Sequence, residues 1–340
     1  MKKNNKRPLV SILCETYNHE HYIRDALDGF IKQKTHFNFE VLICDDASTD
    51  KTPNIIKEYV NKYPEIIKPV YQKTNQWSKG IAIGKSYNMP RILGKYVAVC
   101  EGDDYWIDEY KLQKQVDYLE KNKDCSLCFH PVKVIYEGKN RSCIFPTPKY
   151  RFYKSKLELE DLLKHNFIQT NSVMYRWMLT EKLNQFPAEK ILPGDYYLHL
   201  LHARKGKIGF INETMSVYRR HSGSMWDGAN LKRSFYQKNW SKLLNFYIYL
   251  TKIFHLETQT KQDKIIRKVI YFNLINKNYE LIDRIHLLYK KEFLYSIKIL
   301  YTFDIITKRL KKIIRKLFFY NLLLEITLLF TIVILLCFYK

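Results

Sequence analysis

Apolar residues recur along the first half of the chain in two alternating rhythms. Short runs rich in Val, Ile, Leu and Cys occur at Leu9 to Cys14, Phe39 to Cys44, Ile66 to Tyr71 and Tyr96 to Cys100. Such runs, bounded by polar clusters, read as buried strands. Between them the apolar spacing changes to threes and fours, as at Ile23, Ala26, Leu27, Phe30 and Ile31, and again at Ile55, Ile56, Tyr59 and Val60. That spacing lines one face of an α-helix. The pattern predicts helices over His21 to Gln33 and, capped by Ser48-Thr49-Asp50, through Tyr63. Further helices are expected over Ser86 to Leu93 and around Leu112, Val116 and Leu119, followed by a strand over Ser126 to Tyr136. Strands alternating with helices imply an α/β fold with a mainly parallel sheet flanked by helices.

Beyond Tyr150 the rhythm becomes mixed. Ser155 and Glu158 have capping-box spacing for a helix through Lys164. Asn171 to Tyr175 and Ile208 to Ile211 read as short strands, and Leu192-Pro193-Gly194-Asp195 introduces a helix through Arg204. From Leu231 the chain turns helical, basic and rich in Tyr, Phe and Leu.

Ligands on parallel sheets bind at the carboxyl ends of the strands. Three polar clusters fall at those ends: Glu15-Thr16-Tyr17-Asn18, the run Asp45 to Asp50, and Glu101-Gly102-Asp103-Asp104. Adjacent carboxylates such as Asp103 and Asp104 repel each other and cost desolvation energy unless a cation offsets them. Hard oxygen ligands suit Mg²⁺ or Mn²⁺. Taken alone, the pair reads equally as a loop start or as the cap of the next helix. The coincidence of three clusters at one edge favours a site.

Charge adds a second theme. The 340 residues carry a net charge of +23, and 20 Lys/Arg against 6 Asp/Glu fall between Leu231 and Lys316. An anionic partner is implied, and a basic C-terminal third suits an acidic membrane face. Motifs for nucleic-acid binding are lacking. The seven cysteines mostly occupy apolar runs, and Cys125 and Cys128 form a lone Cys-x-x-Cys without a second pair, so a reducing compartment is expected and zinc is not. No apolar stretch follows the basic Met1 to Arg7, so a cleavable signal peptide is not expected. Leu317 to Tyr339 is apolar with one charge, Glu325. At about 1.5 Å per residue it is long enough to cross about 30 Å of bilayer. Lys308, Arg309, Lys311, Lys312, Arg315 and Lys316 precede it and would hold the main body on the cytoplasmic side. An in-plane helix with Asn321 and Glu325 on its polar face is the alternative.

Four segments together resemble the inverting GT-A glycosyltransferases of family 2, bacterial surface-polysaccharide type. They are Pro8 to Ile12, Glu15 to Asn18, the run Glu40 to Asp50, and Gly94 to Trp106. The resemblance covers about residues 8–220. It implies a nucleotide-sugar site in which Tyr17 and Glu15 line the base pocket and Asp46 accepts a hydrogen bond from uracil. Lys85 lies near the phosphates, Asp103 contacts the ribose and Asp104 binds a divalent metal, Mn²⁺ or Mg²⁺. His221, in the segment Tyr218 to Ser224, completes the metal site or contacts the diphosphate, or is a solvated histidine in a basic loop. Asp195 is the implied general base, although Gly194 replaces the acid common before it, and a plain helix cap is the other reading. Trp106 and Trp226 are either walls for the acceptor or the sugar, or packing residues.

The expected organisation is a GT-A catalytic domain over 1–220, a basic helical region over 221–316, and a membrane helix over 317–339. The expected function is metal-dependent transfer from a UDP-sugar to a glycan or lipid-linked acceptor at the cytoplasmic membrane, with the catalytic domain facing the cytoplasm. A nucleotidyltransferase with a similar core, or a non-catalytic membrane scaffold, are the alternatives. The first would normally carry a Gly-rich loop near its first strand, and no Gly occurs between Pro8 and Asp28.

Overall fold

The structure is a computed structural model that describes residues 7–147, 156–179, 186–224 and 233–254. The chain divides into two compact units, Met1–Tyr249 and Leu250–Lys340. The apolar segment 317–339 lies outside the described residues. Among the described residues no helix is long and apolar enough to cross a membrane.

The first unit is built on a sheet of eight strands. Its early strands are β1 (Val10–Thr16), β2 (Phe39–Asp45), β3 (Ile67–Tyr71) and β4 (Tyr96–Val99). They pair in parallel in the order β3-β2-β1-β4. The connections are α1 (Ile23–Ile31) and α2 (Thr52–Lys62). Burial explains the pairing of rhythms. Val10, Ile12 and Cys14 of β1 share a core with Val41 and Ile43 of β2, and Ile23, Ala26, Leu27 and Phe30 of α1 close over it. The residue at the cap of α2 is Lys51, which makes no side-chain cap, and not the expected polar run; Asp50, just before it, accepts the Thr52 N–H with Oδ1 at 2.9 Å.

Beyond β4 the sheet continues through β10 (Met174–Arg176), β6 (Cys125–Phe129), β11 (Lys207–Phe210) and β9 (Lys156–Leu157). β10 runs antiparallel to both of its neighbours, and β9 is antiparallel to β11. The sheet is therefore mainly parallel, with two reversed strands. A smaller sheet has the order β5-β12-β7-β8, where β5 is Tyr105–Trp106, β7 is Val132–Tyr136, β8 is Ser142–Phe145 and β12 is Ser216–Arg220. The remaining helices are α3 (Lys111–Lys121), α4 (Leu159–Lys164), α5 (Gly194–Ala203) and α6 (Arg233–Phe254).

Three other local expectations change. The single strand over Ser126 to Tyr136 is two strands in different sheets, β6 and β7, because Pro131 lacks the N–H needed to continue the ladder. The capping box before α4 is formed by Glu158 and Asp161 instead of Ser155 and Glu158, since Lys156 and Leu157 are used as strand β9. The segment after Ile83 is a π-helical turn, Gly84–Asn88, followed by a 3₁₀ turn, Met89–Arg91, and Pro90 forbids a longer α-helix.

Candidate active site

The carboxyl ends of β1 and β2 are knitted together before any ligand enters. Asp45 accepts the Ser48 hydroxyl at 2.5 Å and the Ser48 N–H at 3.2 Å. Ser48 Oγ in turn accepts the Asn18 N–H at 2.8 Å, and Asn18 Oδ1 accepts the Thr49 N–H at 2.8 Å. Asn18 and Ala47 both adopt left-handed backbone, with φ of 55° and 62°. The Asp-Asp-x-Ser run thus acts first as a brace that fixes the residue beside Tyr17. Tyr17 itself is exposed at this edge. The second aspartate, Asp46, is buried, and its two oxygens accept the N–H groups of Gln76 at 2.7 Å and Trp77 at 3.0 Å.

Glu15 lies between these braces and the next strand. A Cβ on Gly84 would come within 1.7 Å of Glu15 Oε1, so a larger residue here would force the Glu15 carboxyl to move. Burial, followed by the nearby Asp46, pushes the Glu15 carboxyl up to about 7. Lys85, next in the chain, pairs with Glu189 at 3.1 Å.

The loop after β4 carries three more acids. Ligand atoms of Glu101, Asp103 and Asp104 lie within 4.8 Å of one another. Gly102 is required here as well, because a Cβ would meet Thr16 Oγ1 at 2.6 Å. Asp103 Oδ2 is 3.1 Å from His221 Nε2 and 3.9 Å from His19 Nε2. Burial tends to raise the Asp103 pKa, but the His221 hydrogen bond and the charge of His19 outweigh it and leave the pKa lowered. Asp104 is the opposite case. It is fully buried, its Oδ1 accepts the Arg219 N–H at 2.9 Å, and its Oδ2 is buried with no hydrogen-bond partner. Burial, then Asp103 and Glu101, hold its pKa well above the usual carboxylate range. Glu101 is raised by burial and then by Asp103, Asp195 and Glu15. A buried carboxylate oxygen without a donor is expensive, and a divalent cation at this cluster would supply what is missing. The donor set of hard oxygens fits such an ion.

Arg219 of β12 holds this loop from the second sheet. Besides its backbone bond to Asp104, its guanidinium donates to the Asp103 carbonyl at 3.2 Å and to Asp25. It lies 4.3 Å from the ring centre of Tyr105 and 5.4 Å from that of Tyr22.

Asp195 opens α5 on the far side of β4. Its Oδ2 accepts the Thr170 hydroxyl at 2.9 Å. One helical turn on, His199 is fully buried, and its Nδ1 is 2.5 Å from the Tyr175 hydroxyl. Burial lowers His199 to about 4, countered in part by Asp195.

Of the residues expected from sequence, Glu15, Asp46, Asp103 and Asp104 gather at one sheet edge. His221 joins them through Asp103, and Asp195 lies close enough for its charge to act on Glu101. Lys85 faces Glu189. Trp106 is a packing residue: it is buried against Phe30 and Lys111, and its Nε1 donates to the Asn171 carbonyl at 3.1 Å. Trp226 lies outside the described residues. Sequence reasoning gave no role to Arg219, His19 or Thr170. His19 was within reach, since it follows the Tyr17-Asn18 pair. Arg219 lies in the segment Tyr218 to Ser224 already singled out for His221, and Thr170 carries no local signal.

A GT-A-like sheet with a carboxylate cluster after its fourth strand and an acid opening a later helix defines a class of sugar-nucleotide transferase fold. Comparison with known proteins agrees: the description Glycosyl transferase family 2 matches residues 11–183, and the chain belongs to that family. An uncharacterized protein of Mycobacterium tuberculosis, Rv1520, is 46% identical over 228 residues, or 66% of this chain and 62% of that protein. The chain thus spans less than two thirds of the length of that relative. A Bacillus subtilis protein named as a teichuronic acid biosynthesis glycosyltransferase, TuaG, is 31% identical over 222 residues, covering 65% of this chain and 82% of TuaG. The S. aureus TarS 1-349 structure in complex with UDP-GlcNAc shares the fold, with a TM-score of 0.53 and 20% identity over 77% of this chain and 71% of that one.

Proposed function

We propose that this protein is a metal-dependent inverting glycosyltransferase that uses a nucleotide-sugar, with UDP as the nucleotide. The observation that carries the proposal is the buried, unpartnered Asp104 Oδ2 beside Asp103 and Glu101. Asp104 would hold the cation, with Glu101 and Asp103 adjacent and His221 steadying Asp103. The bound Mn²⁺ or Mg²⁺ would neutralise charge developing on the leaving diphosphate.

The chain's own residues account for the rest. Asp46, Glu15 and Tyr17 form the nucleotide edge, Asp103 reaches the ribose, and Lys85 serves the phosphates. Asp195 takes the proton of the acceptor hydroxyl as that oxygen bonds to the anomeric carbon. The bond from that carbon to the diphosphate breaks on the opposite face, which inverts the centre without a sugar–enzyme intermediate. Thr170 holds one Asp195 oxygen and leaves the other for the acceptor.

The acceptor in this reading is a growing glycan, carried on a lipid at the cytoplasmic membrane. The basic 221–316 region and the apolar 317–339 segment support that location, and the likeness to TuaG supports surface-polysaccharide assembly. The test is UDP release from a panel of UDP-sugars by the full chain with Mn²⁺. Turnover lost in Asp195→Asn and Asp104→Ala is expected. A folded wild-type protein that neither turns over nor binds any nucleotide-sugar contradicts the proposal.

A further inference from the structure

One aromatic at the nucleotide edge is assigned by none of the motifs. Trp77 is 43% exposed in the loop after β3. That loop is firmly held. Asp46 Oδ1 and Oδ2 accept the Gln76 and Trp77 N–H groups at 2.7 and 3.0 Å, capping the 3₁₀ turn Trp77–Lys79. Asn75 donates to the Asp46 carbonyl at 3.2 Å and accepts the Ser78 N–H at 2.7 Å. The carboxylate expected to read a base is therefore also the group that aims Trp77.

The indole has a cation at its ring. Lys242 Nζ lies 5.0 Å from the ring centre. Lys242 belongs to α6, outside the segment matched to the family but inside the first compact unit. The helix is fastened at this point: the Leu192 N–H donates to the Lys242 carbonyl at 3.2 Å, and Asn245 donates to the Lys190 carbonyl at 3.0 Å. Burial lowers the Lys242 pKa, and the nearby Glu189 opposes that. Glu189 also takes Lys85 at 3.1 Å. Lys85 follows Gly84, which presses on Glu15, and Glu15 feels the charge of Asp46. Asp46, Trp77, Lys242, Glu189, Lys85 and Glu15 thus close a circuit around the carboxyl ends of β1 and β2.

A large indole left half in water at such a rim forfeits apolar burial unless something covers it. Two lysines and an aromatic face at one rim match a planar base followed by phosphates. We propose that Trp77 is the stacking platform for the nucleobase of the donor's nucleoside diphosphate, with Lys242 steadying the ring and Asp46 as the positioning residue that aims it. The proposal rests on the nucleotide-sugar reading above. It adds an aromatic from the loop after β3, and a lysine supplied by α6.

The test uses the full chain, with titrations of UDP, GDP and Mn²⁺-pyrophosphate followed by calorimetry and tryptophan fluorescence. The proposal expects nucleoside diphosphates to quench wild-type fluorescence. Trp77→Ala should weaken their binding by about tenfold or more, the typical worth of one stacked base. It should leave Mn²⁺-pyrophosphate affinity unchanged, since that probe has no base. Trp77→Phe, which keeps an aromatic face, should recover most of the affinity while losing the quench, and Lys242→Ala should fall between. Wild-type nucleotide affinity in Trp77→Ala overturns the proposal and spares the nucleotide-sugar reading. Equal loss of pyrophosphate binding also overturns it, by showing a loop defect. If the folded wild-type chain binds no nucleoside diphosphate, both fall together.

Discussion

The two halves of the site solve opposite electrostatic problems. The half at β1, β2 and β4 gathers acids, and three of them are pushed up: Glu15 to about 7, and Glu101 and Asp104 well above the usual carboxylate range, while the histidines beside Asp103 hold that one down. The half at β10 and α5 buries histidines whose pKa values are pushed down, with His199 and His202 both lowered to about 4. Burial is the leading cause of all three rises and of both falls. The first half is short of positive charge and suited to receive a cation with its diphosphate. The second keeps neutral rings behind the single acid, Asp195, that the proposed chemistry uses as a base. Where a fold leaves charge uncompensated is where a ligand is expected to supply it.

The largest expected effects break this contrast at its two acids. Asp195→Asn should reduce turnover by about 10²- to 10⁴-fold, the usual worth of a general base, with donor affinity intact. Asp104→Asn should remove metal-dependent turnover to a similar extent. The same substitution should raise the metal-free melting midpoint at alkaline pH, where Asp104 can no longer stay neutral in its buried site and Asn carries no charge. A lower midpoint there, measured by calorimetry, would contradict the view of Asp104 as an uncompensated acid.

Acid and base limbs of stability sharpen the contrast next. His202 falls from 6.5 to about 4, so protonation favours the unfolded chain. Its contribution is present above pH 6.5 and lost as pH falls toward about 4, worth about 3 kcal/mol. His202→Phe, which keeps ring contact with Tyr175 and Trp177, should flatten that limb in urea melts. Glu15 rises from 4.5 to about 7, so its contribution is present below pH 4.5 and lost as pH climbs through about 7. Because Glu15 keeps some contact with solvent, about 2 kcal/mol is a fair size. Glu15→Gln should flatten this opposite limb.

The smallest effect concerns the brace beside Asp46. Ala47 sits at φ 62°, where glycine is unstrained. Ala47→Gly should stabilise by about 0.5 kcal/mol, once the greater freedom of the unfolded glycine is subtracted. Chemical denaturation detects the sign.

Much of the first half of the fold was legible because its signals are local. The alternation from Val10 to Thr16, Ile23 to Ile31 and Phe39 to Asp45 is written in adjacent residues, and the three acidic clusters fall where those strands end. The break between β6 and β7 is carried by Pro131 alone, inside an otherwise continuous apolar run. The site was legible as a roster of acids and not as a set of pairings. Asp104 depends on Arg219, 115 positions later, and Asp195 on Thr170 in another element. Such bonds join residues whose own neighbourhoods say nothing of them. The unpartnered state of Asp104 Oδ2, on which the reading turns, exists only once β5 and β12 pair.

The most direct measurement is calorimetric titration of UDP into the wild-type chain and Asp104→Asn, with and without Mn²⁺. The account predicts that Mn²⁺ strengthens UDP binding to wild type at least tenfold and leaves Asp104→Asn unchanged. Equal enhancement by Mn²⁺ in both proteins, or none in wild type, would contradict a cation held at Asp104.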